Sequence, residues 1–123
     1  MTKKSSFQSV FGRLQHILQE YEQDLVVHTD RQGDYVLYTP FAEAHKGEVF
    51  FGSVRIYKSY VSFQLMPVYV FPDLLEGMSP KLRARMHGKS CFNFKTIEPS
   101  QVKELARLCK RGFARFKKGQ LLG

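Results

Sequence analysis

The sequence predicts an α+β fold, a two-layer sandwich in which an antiparallel sheet carries the N-terminal and C-terminal helices on one face. Apolar residues recur at three- and four-residue steps near the start of the chain and again near its end, as in amphipathic helices. From residue 24 to residue 71 the period changes to two, and β-branched and aromatic residues dominate, as in strands.

The bulk composition predicts one globular domain, residues 1–123. The chain is 43% hydrophobic and 14% aromatic, more than a disordered chain carries. It contains no signal-peptide-like apolar stretch and no window near the ~20 apolar residues that span a bilayer, which predicts a cytoplasmic protein without a membrane partner. Cys91 and Cys109 have 17 residues between them, and two cysteines at this spacing suit neither a disulfide scaffold nor a zinc site, so we expect two free thiols.

The first element is a helix over residues 6–21, with its apolar side formed by Phe7, Val10, Phe11, Leu14, Ile17, Leu18 and Tyr21. Ser5 followed by Gln8 has the form of a capping box. Gly12 falls on the opposite side of this helix, which we expect to face solvent.

Four strands are predicted in the region of period two, in the order Leu25–Thr29, Tyr35–Thr39, Glu48–Tyr57 and Tyr60–Met66. The first two are joined by a turn at residues 30–34, and the last two form a hairpin around Lys58 and Ser59. A loop from Pro40 to Gly47 separates the two pairs.

Shorter elements follow. We expect an extended stretch at Val68–Phe71 and a helical turn at Pro72–Gly77, closed by Gly77. A helix capped by Ser79 should follow at Pro80–Met86, and a strand at Cys91–Lys95. The last helix runs from Pro99 to about Lys117. Gln101 sits where a capping-box partner would, although Glu98 is a poor cap by residue type.

Alternation along the strands predicts which side chains occupy the sheet face that the helices leave open. The helix side would hold Phe50, Val54, Ile56, Val61, Phe63, Leu65, Phe92 and Phe94. The open face would hold Phe51, Ser53, Arg55, Tyr57, Tyr60, Ser62, Gln64, Cys91, Asn93 and Lys95. Aromatic rings among cations suit stacking by bases or other planar anions, and coverage by a second copy of the chain or by the short helices is the alternative.

Positive charge is concentrated in the last third of the chain. Residues 81–118 hold twelve Lys and Arg against two acidic residues, so the formal net charge of +8 belongs to this segment. Seven of the twelve fall on one side of the last helix: Lys103, Arg107, Lys110, Arg111, Arg115, Lys117 and Lys118. Such clustering predicts a surface that binds anions, and the alternative is a solvated helix face.

Two stretches resemble the C-terminal half of the YdhG-like family of uncharacterised domains: Pro72-Asp73-Leu74-Leu75-Glu76-Gly77-Met78-Ser79-Pro80 and Gly88-Lys89-Ser90-Cys91-Phe92-Asn93-Phe94. The resemblance covers roughly residues 48–117. In that family a short helix leads to a Gly-containing turn, a strand and a closing amphipathic helix. The family is related in topology to frataxin-type domains, and some members are linked to iron handling. The resemblance therefore implies an α+β sandwich and, as one alternative function, iron handling.

The leading hypothesis is a small binding domain, without catalytic residues or a cofactor, that holds an unknown anionic ligand or partner at the Gly88 turn and the neighbouring sheet face. The candidate ligand-binding residues are Arg55, Tyr57, Arg83, Arg85, Lys89, Cys91, Asn93 and Lys95. Arginine and lysine would supply charge, Asn93 hydrogen bonds and Tyr57 apolar contact. Nucleic acid is a possible partner, although no RNA-recognition motif is present.

Two further hypotheses belong to other classes. Cys91 lies near Lys89 and Lys95, and cations lower a thiol pKa, so a thiol or redox enzyme centred on Cys91 is one alternative. A homodimeric interaction module that pairs through the open sheet face is the other. The four histidines show no ligand spacing, which predicts no metal site.

Overall fold

The structure, a computed structural model, describes residues 3–40 and 47–119 of the chain. The helices are α1 (Lys3–Gln19), α2 (Met66–Val70), α3 (Pro80–Arg83) and α4 (Pro99–Lys118). The strands are β1 (Val26–Arg31), β2 (Asp34–Tyr38), β3 (Phe50–Ile56), β4 (Val61–Leu65), β5 (Met86–His87) and β6 (Cys91–Phe94). Single 3₁₀ turns occupy Glu22–Asp24 and Pro72–Leu75. The predicted loop after Pro40 falls on residues 41–46, outside the described residues.

The strands form one antiparallel sheet in the order β1-β2-β3-β4-β6-β5. Helix α1 contacts β3, β4 and α4, so the two long helices lie side by side on one sheet face. The predicted α+β sandwich is confirmed. The core between the layers buries residues from every long element, among them Leu14, Leu37, Phe63, Phe92 and Phe116.

Both long helices follow their apolar periodicity. The apolar side of α1 is buried from Phe7 to Leu18, and Gly12 is exposed, as predicted. The helix begins at Lys3, three residues earlier than predicted, so Ser5 lies inside it and is not its N-cap. Helix α4 does begin with a capping box, in which Glu98 and Gln101 bond each other's backbone N–H groups.

The prediction for the two phenylalanines at the start of β3 is wrong. Phe51 is fully buried against the helices, whereas Phe50 is half-buried on the open face. The register explains the exchange, because Leu37 pairs with Gly52 while the next residue, Tyr38, pairs with Phe50. Phe51 is the extra residue of a β-bulge, and a bulge shifts the alternation on one side of itself by one residue.

Two short segments also differ from the prediction. Residues 68–71 are not extended, because Met66 and Pro67 begin helix α2, where a proline in the first turn loses no hydrogen bond. Helix α3 ends at Arg83 and does not reach Met86. The chain instead reverses at Gly88, whose φ of 73° favours glycine, and pairs β5 with β6.

Candidate functional site

Two cations of the last third of the chain are neutralised by carboxylates. Lys81 Nζ lies 2.8 Å from Glu98 Oε2, and Arg115 Nη1 lies 2.6 Å from Asp73 Oδ2. The Arg115 guanidinium also lies over the ring of Phe71, 4.4 Å from its centroid. The hydrogen bond from Arg115 holds the pKa of Asp73 below its usual range, so the pair stays charged at neutral pH.

The remaining cations of α4 form a line along its outer side. We define the α4 basic face as the exposed side chains of Lys103, Arg107, Lys110, Arg111, Lys117 and Lys118. Among residues 3–40 and 47–119, none of the six has a carboxylate oxygen within 4.0 Å. The acidic residue of α4, Glu104, accepts hydrogen bonds from Ser79. Within the described residues no ion pair therefore neutralises the α4 basic face, and the nearby carboxylates act on it only at longer range: Asp73 on Arg111, and Glu76 and Glu104, which line one pocket with Arg107 and Arg111.

A second group of cations borders a groove of about 540 Å³ beside the Gly88 turn. We define the Gly88 groove by its lining residues, which are Val68, Tyr69, Pro72, Leu75, Arg83, Met86, Gly88 and Lys89. Arg83 Nη2 donates to the backbone carbonyl of Leu75 at 3.2 Å, and Lys89 Nζ lies 6.0 Å from the centroid of the Tyr69 ring. Both charged residues of the lining are cations, and the rest of the lining is mostly apolar.

The open face of the sheet holds a third feature, a shallow concavity of about 380 Å³. Its lining is mixed polar and aromatic: Val36, Tyr38, Phe50, Ser53, Arg55, Tyr57, Ser62 and Gln64. Arg55 Nε donates to Asp34 Oδ1 at 3.0 Å, and this bond raises the pKa of the guanidinium. Because Asp34 offsets its charge, Arg55 gives the concavity little net attraction for anions.

The predicted site residues are divided between these surfaces. Arg55 and Tyr57 line the concavity, and Cys91 and Asn93 pair across strands with Gln64 and Ser62 of the same face. Lys95, just beyond β6, is exposed.

Arg83 and Lys89 line the Gly88 groove instead. That groove lies toward the helix layer, since its Met86 pairs with the buried Phe92. Arg85 is exposed and outside the groove lining. The structure therefore does not bring the Gly88 turn and the aromatic sheet face together into one pocket.

Sequence reasoning missed the apolar wall of the groove. Val68 and Tyr69, the latter 55% exposed, line the groove and lie on a segment predicted to be an extended connection. The signal that could have identified the wall is Met66-Pro67, a residue pair suited to a helix start directly after a strand. A helix there holds Tyr69 beside the Gly88 turn.

The two thiols have different surroundings. Both are free, as predicted; Cys91 is half-buried and Cys109 is fully buried. Burial, with a smaller effect of Glu20, raises the pKa of the Cys109 thiol. Cys91 lies opposite His87 in the β5–β6 pair, and a reactive Cys91 stays a prediction. In residues 3–40 and 47–119 no group of three or more His, Cys, Asp or Glu could hold a metal ion.

No family model matches this chain, and no curated protein or solved structure is significantly similar to it. The resemblance to the YdhG-like family, the iron-handling role that it implies and the homodimer therefore stay predictions. Within the described residues, no helix is long and apolar enough to cross a membrane.

Proposed function

We propose that this protein is a non-enzymatic binding domain that holds a phosphate-rich polyanion along the α4 basic face. The observation that carries the proposal is the line of six exposed cations without a carboxylate within 4.0 Å in the described residues. A solvated helix face usually intersperses both signs of charge, and α4 turns its one carboxylate toward Ser79 instead.

The dimensions of the α4 basic face suit a nucleic-acid backbone. Residues 103–118 span roughly 22 Å along a helix, a length over which several phosphates of an extended strand pass. The apolar side of α4 is packed into the core at Leu105, Cys109 and Phe116, so this helix can offer only its charged side. Affinity must then come mainly from phosphate contacts and the release of counterions, with little reading of base sequence.

The test is fluorescence anisotropy with labelled single-stranded and double-stranded oligonucleotides at several salt concentrations. If all six cations contact phosphates, affinity falls on the order of a thousandfold between 50 and 200 mM salt. A triple variant, Arg107→Glu, Lys110→Glu and Arg111→Glu, is expected to weaken binding at 50 mM salt by at least a hundredfold.

A matched triple variant controls for net charge. Arg13→Glu, Arg31→Glu and Lys58→Glu change the total charge by the same amount, at exposed positions on α1, β1 and the β3–β4 turn. This control should lose far less affinity than the α4 variant, with both variants showing wild-type circular dichroism. Equal losses in the two variants, or no binding at 50 mM salt, would reject the α4 basic face as the binding surface.

A further inference from the structure

The Gly88 groove combines two features: a partly exposed apolar lining and two exposed cations, Arg83 and Lys89. Val68, Pro72, Leu75 and Met86 give it an apolar lining, and Tyr69 stands 55% exposed at its side. Exposed apolar patches rimmed by polar groups mark interaction sites in soluble proteins.

The two cations of the groove favour a negatively charged partner. Arg83 uses one N–H of its guanidinium on the Leu75 carbonyl, and a guanidinium has four more N–H donors. The ammonium group of Lys89 carries three donors and lies 6.0 Å from the centroid of the Tyr69 ring. Neither cation has a carboxylate oxygen within 4.0 Å among the described residues, so the carboxylates of a partner could form ion pairs with both.

The position of the groove favours an extended chain as that partner. Strand β5, which contributes Met86 to the lining, is the last strand at its edge of the sheet. An edge strand offers backbone donors and acceptors to a further strand, the basis of peptide binding by strand addition. Because β5 has only two residues, side-chain contacts in the groove must supply most of the affinity.

We propose that the Gly88 groove binds an extended peptide segment of a partner protein in which an apolar side chain is flanked by carboxylates. The apolar side chain packs between Leu75 and Met86 and against the Tyr69 ring, and the carboxylates pair with Arg83 and Lys89. A nucleic-acid strand is the less suitable occupant, since Tyr69 is the one aromatic ring of the lining on which a base could stack, and the other apolar side chains of the lining are not aromatic. This site is separate from the α4 basic face and does not depend on the proposal made for that face.

A random hexapeptide library displayed on phage tests the proposal with the full chain as bait. We expect enrichment of peptides with Asp or Glu on both sides of a Leu, Ile, Phe or Tyr. The enrichment should vanish with the double variant Arg83→Glu and Lys89→Glu. It should persist with Arg85→Glu and Lys58→Glu, which make the same charge change at exposed positions outside the groove.

Fluorescence anisotropy with one labelled consensus peptide then measures how much each side chain of the groove contributes to peptide affinity. The Arg83 and Lys89 double variant should bind at least tenfold more weakly. Tyr69→Ser should bind the peptide about fivefold more weakly. Val70→Ser is its control, because Val70 is the next residue, is 43% exposed and lies outside the groove lining, and it should bind as wild type. The α4 triple variant should keep full peptide affinity even where it loses oligonucleotides.

Several outcomes would overturn the proposal. The first is a phage selection that does not enrich Asp or Glu. The second is a consensus peptide that binds the Arg83 and Lys89 double variant as tightly as the wild type. The third is an equal loss of peptide affinity in Tyr69→Ser and Val70→Ser. Competition by an oligonucleotide as effective as by the unlabelled peptide would show instead that the groove belongs to the polyanion surface.

Discussion

The carboxylate of Glu104 accepts two hydrogen bonds from Ser79, one from its backbone N–H at 2.8 Å and one from its hydroxyl at 2.6 Å. The same hydroxyl accepts from the backbone N–H of Leu82 as the N-cap of α3. One side chain of α4 thus fixes the start of α3, the helix that ends at Arg83, beside the Gly88 groove.

Replacing Glu104 should therefore destabilise the fold as well as loosen α3. Hydrogen bonds to a charged group contribute about 1.5–3 kcal/mol, so we expect Glu104→Ala to lower the free energy of unfolding by about 2 kcal/mol. Glu104→Gln keeps one acceptor and should lose about half as much. Urea unfolding measures both values. A loss below about 0.5 kcal/mol for Glu104→Ala would mean that water replaces the carboxylate without cost.

Two helical glycines should respond in opposite directions to alanine. A Cβ atom built at Gly112 of α4 would lie 2.7 Å from Cβ of Pro67, closer than real carbon contacts allow, whereas one at Gly12 of α1 would meet nothing within 4 Å. We expect Gly12→Ala to raise the melting temperature, because alanine is about 1 kcal/mol more favourable than glycine in a helix. Gly112→Ala should lower it, since overpacking costs about 1–3 kcal/mol. Thermal unfolding of the two variants gives the comparison, and a rise in both would contradict the close approach of α4 to α2.

The free energy of unfolding should fall at alkaline pH because of two tyrosines, the buried Tyr35 and the partly buried Tyr21. Burial raises the pKa of Tyr21 to about 12, and burial together with the hydrogen bond to Glu22 raises the pKa of Tyr35 as well. The unfolded chain ionises these phenols near pH 10, so above that pH it binds fewer protons than the folded chain. Above pH 10 each such group then lowers the free energy of unfolding by at most about 1.4 kcal/mol per pH unit, and the partly exposed Tyr21 lowers it by less.

Urea unfolding at pH 8, 9, 10 and 11 measures this slope. Tyr35→Phe should flatten it above pH 10, while Tyr69→Phe, at a position that is 55% exposed, should leave it as in wild type. An unchanged slope in the Tyr35 variant would locate the alkaline sensitivity elsewhere.

Release of Arg115 should strengthen oligonucleotide binding. Asp73 holds this guanidinium through two contacts, at 2.6 and 3.3 Å, next to the C-terminal end of the α4 basic face. Asp73→Ala frees one more cation for phosphate, so the slope of log affinity against log salt should steepen by about 0.9 for duplex DNA. Asp30→Ala removes the same charge from an exposed site on β1 and should change the slope far less. Equal slopes in the two variants would show that Arg115 does not reach the bound strand.

The fold class follows from periodicity, because long helices and strands repeat their apolar positions over many residues. The burial of Phe51 in place of Phe50 could not be predicted in this way, because nothing in two adjacent phenylalanines indicates which of them is the extra residue of a bulge. A bulge arises from the pairing of β3 with β2, and such long-range pairing leaves no local trace in β3 itself.

The charged segment was evident from the sequence, and its arrangement was not. The sequence shows where the cations of residues 81–118 lie along the chain. It does not show which of them form ion pairs, because a partner can be distant in sequence, as Asp73 is from Arg115, 42 positions away. The hypothesis of one site joined Arg83, near the Gly88 turn, to Arg55 on the neighbouring sheet face. Only the placement of β5 and of helix α2 shows that they serve different faces.

The sheet order has a consequence for biosynthesis. Strand β6 lies between β4 and β5, and α1 contacts α4, so the sheet is incomplete until β6 has been made and the core until α4 has been made. A ribosome adds about 5–20 residues per second, so for several seconds the nascent chain carries an unpaired edge of β4 and an uncovered apolar side of α1. We therefore expect aggregation of newly made chains to be concentrated in this interval, and slower translation of the α4 codons to lengthen it.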